Sequence, residues 1–286
     1  MIVIHTIRTM QEESERLRAA GQRIGFVPTM GYLHEGHLDL LRLAGRHADL
    51  VVMSIFVNPT QFAAGEDLDR YPRDFARDRE LAAQAGCDII FAPSAEEMYP
   101  DGDSSWIFVD EIGATLEGAF RPTHFRGVTT VVGKLFHIVR PHCAVFGQKD
   151  AQQAAIIRRM TRDLHFGIDI RVAPIRREND GLAMSSRNTY LSKQERVEAL
   201  ALSRSLLAAE SLFAEGERRS IALYRAVEAE ICRSGGVQLD YIGIVDPDSF
   251  RPIEGEVGRK ALIAVAARVG STRLIDNIIL GNEATQ

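Results

Sequence analysis

Ile24-Gly-Phe-Val27, then Pro28-Thr-Met-Gly-Tyr-Leu-His34-Glu35-Gly36-His37, then Leu38-Asp-Leu-Leu-Arg-Leu-Ala44 decide the fold. The first piece reads as a strand, the second as a turn carrying glycine and histidine, the third as a helix. Strand, turn and helix open a βαβ unit, and the pattern continues outward. Leu50 to Val57 is a near-continuous apolar run, as expected of a strand buried on both faces. A helix over 74–85 stops at Gly86, and a strand over 87–92 is closed by Pro93. Further helices are expected over 128–139 and 151–165, and strands over 144–146 and 168–173. Strands alternating with helices at this spacing imply a parallel sheet.

The character changes after Pro174. Residues 176–187 are polar, and Ser192-Lys-Gln-Glu195 is a capping-box signature opening a long helix. A helix over 220–234 and strands over 240–245 and 261–266 follow, less regularly alternated. The expected architecture is α/β: a Rossmann-like parallel-sheet domain, residues 1–175, followed by a smaller α+β C-terminal domain, residues 176–286, closing over the active site. A length of 286 residues suits two domains.

Composition excludes several classes. Hydrophobic residues at 45% and charged residues at 26% oppose disorder. A net charge of −5 offers no basic surplus for nucleic acid, and the pairs Arg158-Arg159 and Arg176-Arg177 read as solvated faces. Cys87, Cys143 and Cys232 are too few and too scattered for a disulfide framework or a zinc knuckle, so a reducing, cytoplasmic setting is expected. The N-terminus turns polar at once, unlike a signal peptide, and no apolar run approaches the ~20 residues needed to span a bilayer.

Chemistry concentrates at strand–helix junctions, where open parallel sheets bind ligands. His34 and His37 share one side of a first helical turn and are placed to donate hydrogen bonds to phosphoryl oxygens. Gly31 and Gly36 permit close backbone approach. Two other readings stay open: satisfied structural histidines, or metal ligands one residue short of the His-Glu-x-x-His spacing. Gly147-Gln148-Lys149-Asp150 follows another strand, with Lys149 facing the same crevice or else paired with Asp150 at the surface. Gln153 lies one turn further on. Met184-Ser185-Ser186-Arg187 supplies two hydroxyls and a guanidinium suited to terminal phosphates. Asn58 and Gln61 offer neutral amides at the rim, and Arg121 to Gly127 is a candidate lid.

His34-Glu-Gly-His37 is similar to the signature of the nucleotidylyl-transferase superfamily, and Met184 to Arg187 resembles its mobile Lys-Met-Ser-Lys-Ser loop. Taken in order, Pro28 to His37, Val57 to Phe62, Tyr71-Pro-Arg73, Tyr99-Pro100, His124 to Gly127, Phe146 to Asp150, Gly181 to Asn188 and Arg273 to Asn277 resemble the pantothenate synthetase (pantoate–β-alanine ligase) family. The departures are Tyr32, Gln148 and Arg176.

The resemblance implies activation of pantoate by ATP as pantoyl-adenylate, then attack by β-alanine with loss of AMP. It implies catalytic roles for His37, His34 and Lys149. It implies nucleotide contacts from Met30, Gly31, Tyr32, Leu33, His34, Glu35, Gly36 and His37, from Gly147, Gln148, Lys149 and Asp150, and from Arg176, Met184, Ser185, Ser186 and Arg187. Gln61 and Gln153 would hold pantoate, with Gln61 also near β-alanine. Mg2+ accompanies the ATP, its protein ligand unknown, and a homodimer is expected. Two rival readings are an adenylyltransferase acting on a phosphate ester and a nucleotide- or RNA-binding module. The neutral Gln61 and Gln153 oppose the first, since a phosphate acceptor calls for added cations. The acidic balance opposes the second.

Overall fold

The computed structural model describes residues 1–281. They form two compact units, one of residues 1–148 with 156–174, the other of 149–155 with 175 onward. In the first unit the order is β1 (Ile2–Ile4), α1 (Ile7–Ala19), β2 (Ile24–Thr29), α2 (Glu35–Gly45), β3 (Leu50–Ile55), α3 (Phe75–Gln84), β4 (Ile89–Phe91), the short α4 (Ala95–Met98) and α5 (Glu117–Phe120), α6 (His124–Val139) and β5 (Cys143–Gly147). Helix α7 (Ala151–Asp163) and β6 (Asp169–Ala173) follow.

Among the described residues, six parallel strands make one sheet in the order β1-β4-β3-β2-β5-β6. The chain winds one way from β2 through β3 to β4 and the other way through β5 to β6. The crevice between β2 and β5 is therefore the switch point at which such sheets bind ligands. The two strands pair only at Gly25↔Cys143 and Phe26↔Ala144, whereas β2 pairs with β3 as far as Thr29↔Ile55. Pro28, with no N–H to give, falls beyond the last β2–β5 pair and leaves no ladder bond unmade. Val27, Met53, Ile90 and Val145 from four strands pack with Leu38, Leu41 and Ala44 of α2 in a fully buried layer.

The second unit holds α8 (Lys193–Ala214), α9 (Ser220–Cys232) and an antiparallel sheet β7 (Val237–Val245), β8 (Ala261–Val269), β9 (Thr272–Leu280). Leu202, Leu206, Leu223, Val227 and Ile231 of the helices bury against Ile263, Val265 and Leu274 of the sheet. The expected α/β unit with a Rossmann-like parallel sheet and smaller α+β unit are thus both present. Five elements were not expected: β1, α1, the short α4 and α5, and β9. Helix α1 is capped by Thr6, whose hydroxyl accepts from the Thr9 N–H at 3.3 Å. One expectation is corrected. Residues 124–127 of the supposed lid form the first turn of α6, where Phe125 is buried. Gly127 lies so close to Thr60 that a Cβ there would meet its carbonyl oxygen at 2.5 Å, so this turn is a packing contact.

At the start of α8 the capping box forms as the sequence predicts. The Ser192 hydroxyl accepts from the Glu195 N–H at 3.3 Å, and the Glu195 carboxylate accepts from the Ser192 N–H at 2.8 Å. Ser192→Ala is expected to cost about 1 kcal/mol of stability, measured by urea unfolding.

Candidate functional site

The loop after β2 carries the first group of candidates. Gly31 has φ +82° and Tyr32 φ +51°, so two successive residues adopt the left-handed conformation, the second a tyrosine. A buried carboxylate holds them there. Asp78 of α3 accepts from the Tyr32 N–H on Oδ2 and from the Leu33 N–H on Oδ1, both at 2.7 Å, and the residue is 1% exposed. A Cβ at Gly31 would stand 2.9 Å from Asp78 Oδ2, so only glycine fits. Burial pushes the Asp78 carboxyl above its ordinary range, while the two N–H bonds pull it back. Leu33 is fully buried, so any contact it makes with a ligand comes from its backbone.

Beyond this bend α2 begins. The His34 and His37 rings lie with centroids 4.0 Å apart, tilted by 34°. The His34 backbone N–H donates to His37 Nδ1 at 3.2 Å. A backbone N–H is always the donor, so Nδ1 carries its lone pair and the ring proton sits on Nε2. His37 thus presents an N–H donor at the helix N-terminus, where anions are favoured. Glu35 instead meets Arg42 at 3.2 Å, an exposed pair.

Gln61 closes this group. Its Oε1 accepts from Asn58 Nδ2 at 3.2 Å, and its Nε2 donates to Met30 Sδ at 3.0 Å. Its backbone carbonyl accepts from Arg121 Nη2 at 3.2 Å and from His124 Nδ1 at 3.0 Å. Asn58 is engaged within the protein. Its Nδ2 also donates to the Gly127 carbonyl at 3.1 Å, and its Oδ1 accepts from Tyr99 at 2.9 Å and from the Thr60 hydroxyl at 3.0 Å. Both amide hydrogens and the oxygen are engaged, so Asn58 serves to aim Gln61. Burial raises the Tyr99 hydroxyl above its usual range, which keeps it a donor.

Lys149, Asp150, Gln153, Arg176 and Met184 to Arg187 belong to the second unit. Lys149 Nζ lies 3.8 Å from Asp150 Oδ1, and the Asp150 side chain is half-exposed. Arg177 and Ala183 bridge in antiparallel fashion, and the Met184 N–H donates to the Arg176 carbonyl at 2.9 Å, making residues 176–184 a hairpin. Ser185 caps the short turn Ser186–Tyr190, its Oγ accepting from the Arg187 N–H at 3.3 Å. Ser185 and Lys149 line one small cavity with Asn188 and Asp276. The predicted set therefore falls into two groups: Met30 to His37 with Gln61 in the first unit, and Lys149 with Ser185 in the second. Gly147 ends β5, and Gln148 follows it as the last residue of the first unit before Lys149.

Sequence reasoning missed Asp78; it placed Tyr99 and Asp276 within motifs of the resemblance but gave neither a role. Asp78 did leave a signal, since it shares the buried face of α3 with Ala82 four residues on. A carboxylate on an apolar stripe has to find partners. Arg177 is corrected as well: it is no solvated pair with Arg176 but holds the buried Asp276.

The fold is that of an α/β protein with a Rossmann-like sheet, and its family is one of ligases. Within that class the chain belongs to the pantoate–β-alanine ligase family, whose sequence model matches residues 2–279. It is 53% identical over 281 residues to a pantothenate synthetase of Thermotoga neapolitana, covering 98% of this chain and 100% of that one. It is 54% identical over 283 residues to a pantothenate synthetase of Citrifermentans bemidjiense, covering 99% and 100%. The crystal structure of pantothenate synthetase from Thermus thermophilus superposes with a TM-score of 0.92 at 45% identity, covering 97% of this chain and 99% of that one. The pantoate–β-alanine ligase of Francisella tularensis, solved in complex with β-γ ATP and β-alanine, gives 0.80 at 33% identity, with full coverage of both chains.

His124 supplies a pH signature. Burial first, then the Arg121 charge, lowers its pKa from 6.5 to about 4. Its unfolded pKa is the higher one, so protons favour the unfolded chain. The stability it protects is full above pH 6.5 and is lost as the pH falls through about 4. That loss amounts to at most about 3 kcal/mol. His124→Asn keeps a donor for the Gln61 carbonyl but cannot titrate. Unfolding measured between pH 7 and pH 4 is expected to fall less steeply in the variant than in the parent.

Proposed function

We propose that the chain condenses pantoate with β-alanine using ATP by way of pantoyl-adenylate. The observation that carries this reading is the His37 ring, whose Nδ1 accepts from the His34 N–H so that Nε2 bears the proton, beside His34 at the N-terminus of α2. A carboxylate oxygen of pantoate attacks the α-phosphorus and pyrophosphate leaves. The β-alanine nitrogen then attacks the acyl carbon, the acyl C–O bond breaks, AMP departs and the amine proton passes to solvent. His34, His37 and Lys149 stabilise charge at the α- and β-phosphates, and Ser185, Ser186 and Arg187 receive pyrophosphate. Met30 to His37, Gly147 to Asp150, Arg176 and Met184 line the nucleotide. Gln61 aims its Nε2 at pantoate, its Oε1 being held by Asn58, and Gln153 binds the same substrate. The Francisella ligase complex with an ATP species and β-alanine supports both ligands.

Among the described residues no group of three or more His, Cys, Asp or Glu is placed to hold a metal ion. A Mg2+ carried on the nucleotide phosphates would find a carboxylate in Asp150, whose side chain lies beside Lys149. The cation would neutralise phosphate charge. The same proposal assigns ATP and pantoate binding to residues 1–175 and closure over the active site to 176–286. It makes the working form a cytoplasmic homodimer. Among the described residues no helix is long and apolar enough to cross a membrane.

None of the groups assigned to adenylation needs the amine. Labelled pyrophosphate is therefore expected to exchange into ATP with enzyme, Mg2+ and pantoate alone, and to stop when pantoate is withheld. Exchange that appears only with β-alanine present would replace the free adenylate with a concerted reaction. Gln61→Ala is expected to raise the KM for pantoate at least tenfold, consistent with loss of a hydrogen bond worth about 1.5 kcal/mol, while nucleotide affinity measured by titration stays within about twofold. Equal losses for both ligands would remove Gln61 from the pantoate site.

A further inference from the structure

The motif Arg273 to Asn277 lies on β9 and has no part in the chemistry assigned so far. Two of its residues are buried and polar, Asp276 and Asn277, each 3% exposed. Asp276 receives a two-pronged guanidinium, Arg177 Nη1 to Oδ2 at 2.6 Å and Nη2 to Oδ1 at 3.1 Å. Arg177 Nη1 also donates to the Gly181 carbonyl at 3.2 Å. The fork therefore grips one strand and the tip of the 176–184 hairpin, the segment that leads into Ser185. Next along β9, the Asn277 N–H donates to Asp276 Oδ1 at 2.8 Å, and its side-chain Nδ2 donates to the Lys149 carbonyl at 3.0 Å. One dipeptide thus ties down two pieces of chain far apart in sequence.

The polar groups are costly to bury. Burial raises the Asp276 carboxyl above its ordinary range even with Arg177 against it. An apolar pair would pack a strand at lower cost. What the polar pair supplies is direction, because a bidentate fork and an amide–carbonyl bond each accept one geometry.

We propose that Asp276 and Asn277 are positioning residues: Asn277 sets the backbone of Lys149, and Asp276, through Arg177, sets the hairpin that presents Ser185 to Arg187. The inference rests on the proposed phosphate role of Lys149 and Ser185 to Arg187. A misplacement of about 1 Å is enough to cost a hundredfold in rate.

The test is a double-mutant cycle with the full-length enzyme. Lys149→Ala is expected to lower kcat about 10²–10³-fold. Asn277→Ala is expected to lower kcat 10- to 100-fold with the KM for pantoate within about twofold, and to lower it no further when Lys149 is already Ala. Losses that multiply in the double variant would show that Asn277 acts apart from Lys149, overturning this inference and leaving the phosphate role intact. A Lys149→Ala enzyme with parental activity would overturn both. Asp276→Asn keeps the shape and removes the charge. Its expected effect is about a tenfold rise in the KM for pyrophosphate in the exchange reaction, with the KM for pantoate unchanged. A uniform fall in active enzyme at unchanged KM values, seen as lower soluble yield and melting temperature, would make Asp276 a fold residue only and overturn its part.

Discussion

A carboxylate with no water around it must be answered by donors, and the loop after β2 takes its shape from that requirement. Asp78 meets two successive backbone N–H groups, those of Tyr32 and Leu33, at 2.7 Å. Hydrogen bonds to a charged group are worth about 1.5–3 kcal/mol each. That is enough to hold Tyr32 at a positive φ, which costs of order 1–3 kcal/mol for a residue with a side chain. The bend ends at His34, so α2 starts where Asp78 puts it. The stacked His34 and His37 rings and the Met30 sulfur that meets Gln61 all belong to the same short stretch. An internal ligand of helix α3 thereby fixes the entry to the site.

The other side of this group is built by saturation. Asn58 engages both amide hydrogens and its oxygen within the protein, and Gln61 can then point its amide in only one sense. Arg121 and His124 complete the arrangement by gripping the Gln61 carbonyl. Arg121 is itself held by Glu66 at 2.5 Å. Burial pushes the Glu66 carboxyl up, but the bond and charge of Arg121 bring it below its ordinary range. The region that looked like a lid is a buttress.

The parallel sheet was legible because its strands are buried on both faces and announce themselves as continuous apolar runs, as Leu50 to Ile55 does. The capping box at Ser192 was legible because it is local. Strand β9 was not, since Arg273, Asp276 and Asn277 break the apolar pattern, and the partners that make them tolerable lie at Arg177 and Lys149. Helix α1 was hidden by its charged surface, with Met10 and Leu17 as its buried apolar positions. Of the candidate site, the motif residues could be picked out one by one in sequence. The residues that aim them could not, because Asp78 reaches back 46 positions to Tyr32 and Asn58 reaches 69 forward to Gly127. Short-range patterns carry no record of such pairs.

The division of charge between the two groups of residues follows from the proposed reaction. Pantoate enters as a carboxylate and must attack a phosphorus surrounded by anionic oxygens. A cation clamped on that carboxylate would ease its approach but stabilise the ground state as much as the transition state, which adds binding without rate. On the proposed assignment Gln61 avoids this, since an amide whose Oε1 is held by Asn58 orients pantoate as a neutral donor. Lys149 and Arg187 carry the formal charge, and on the proposed assignment they face the phosphates, where negative charge grows as pyrophosphate leaves. On that assignment, neutral donors at pantoate and cations at the leaving group would give stabilisation that increases along the reaction path. This is why the aiming residues matter as much as the motif: the sorting works only while Asn58 keeps Gln61 in one orientation and the N–H of His34 keeps the His37 proton on Nε2.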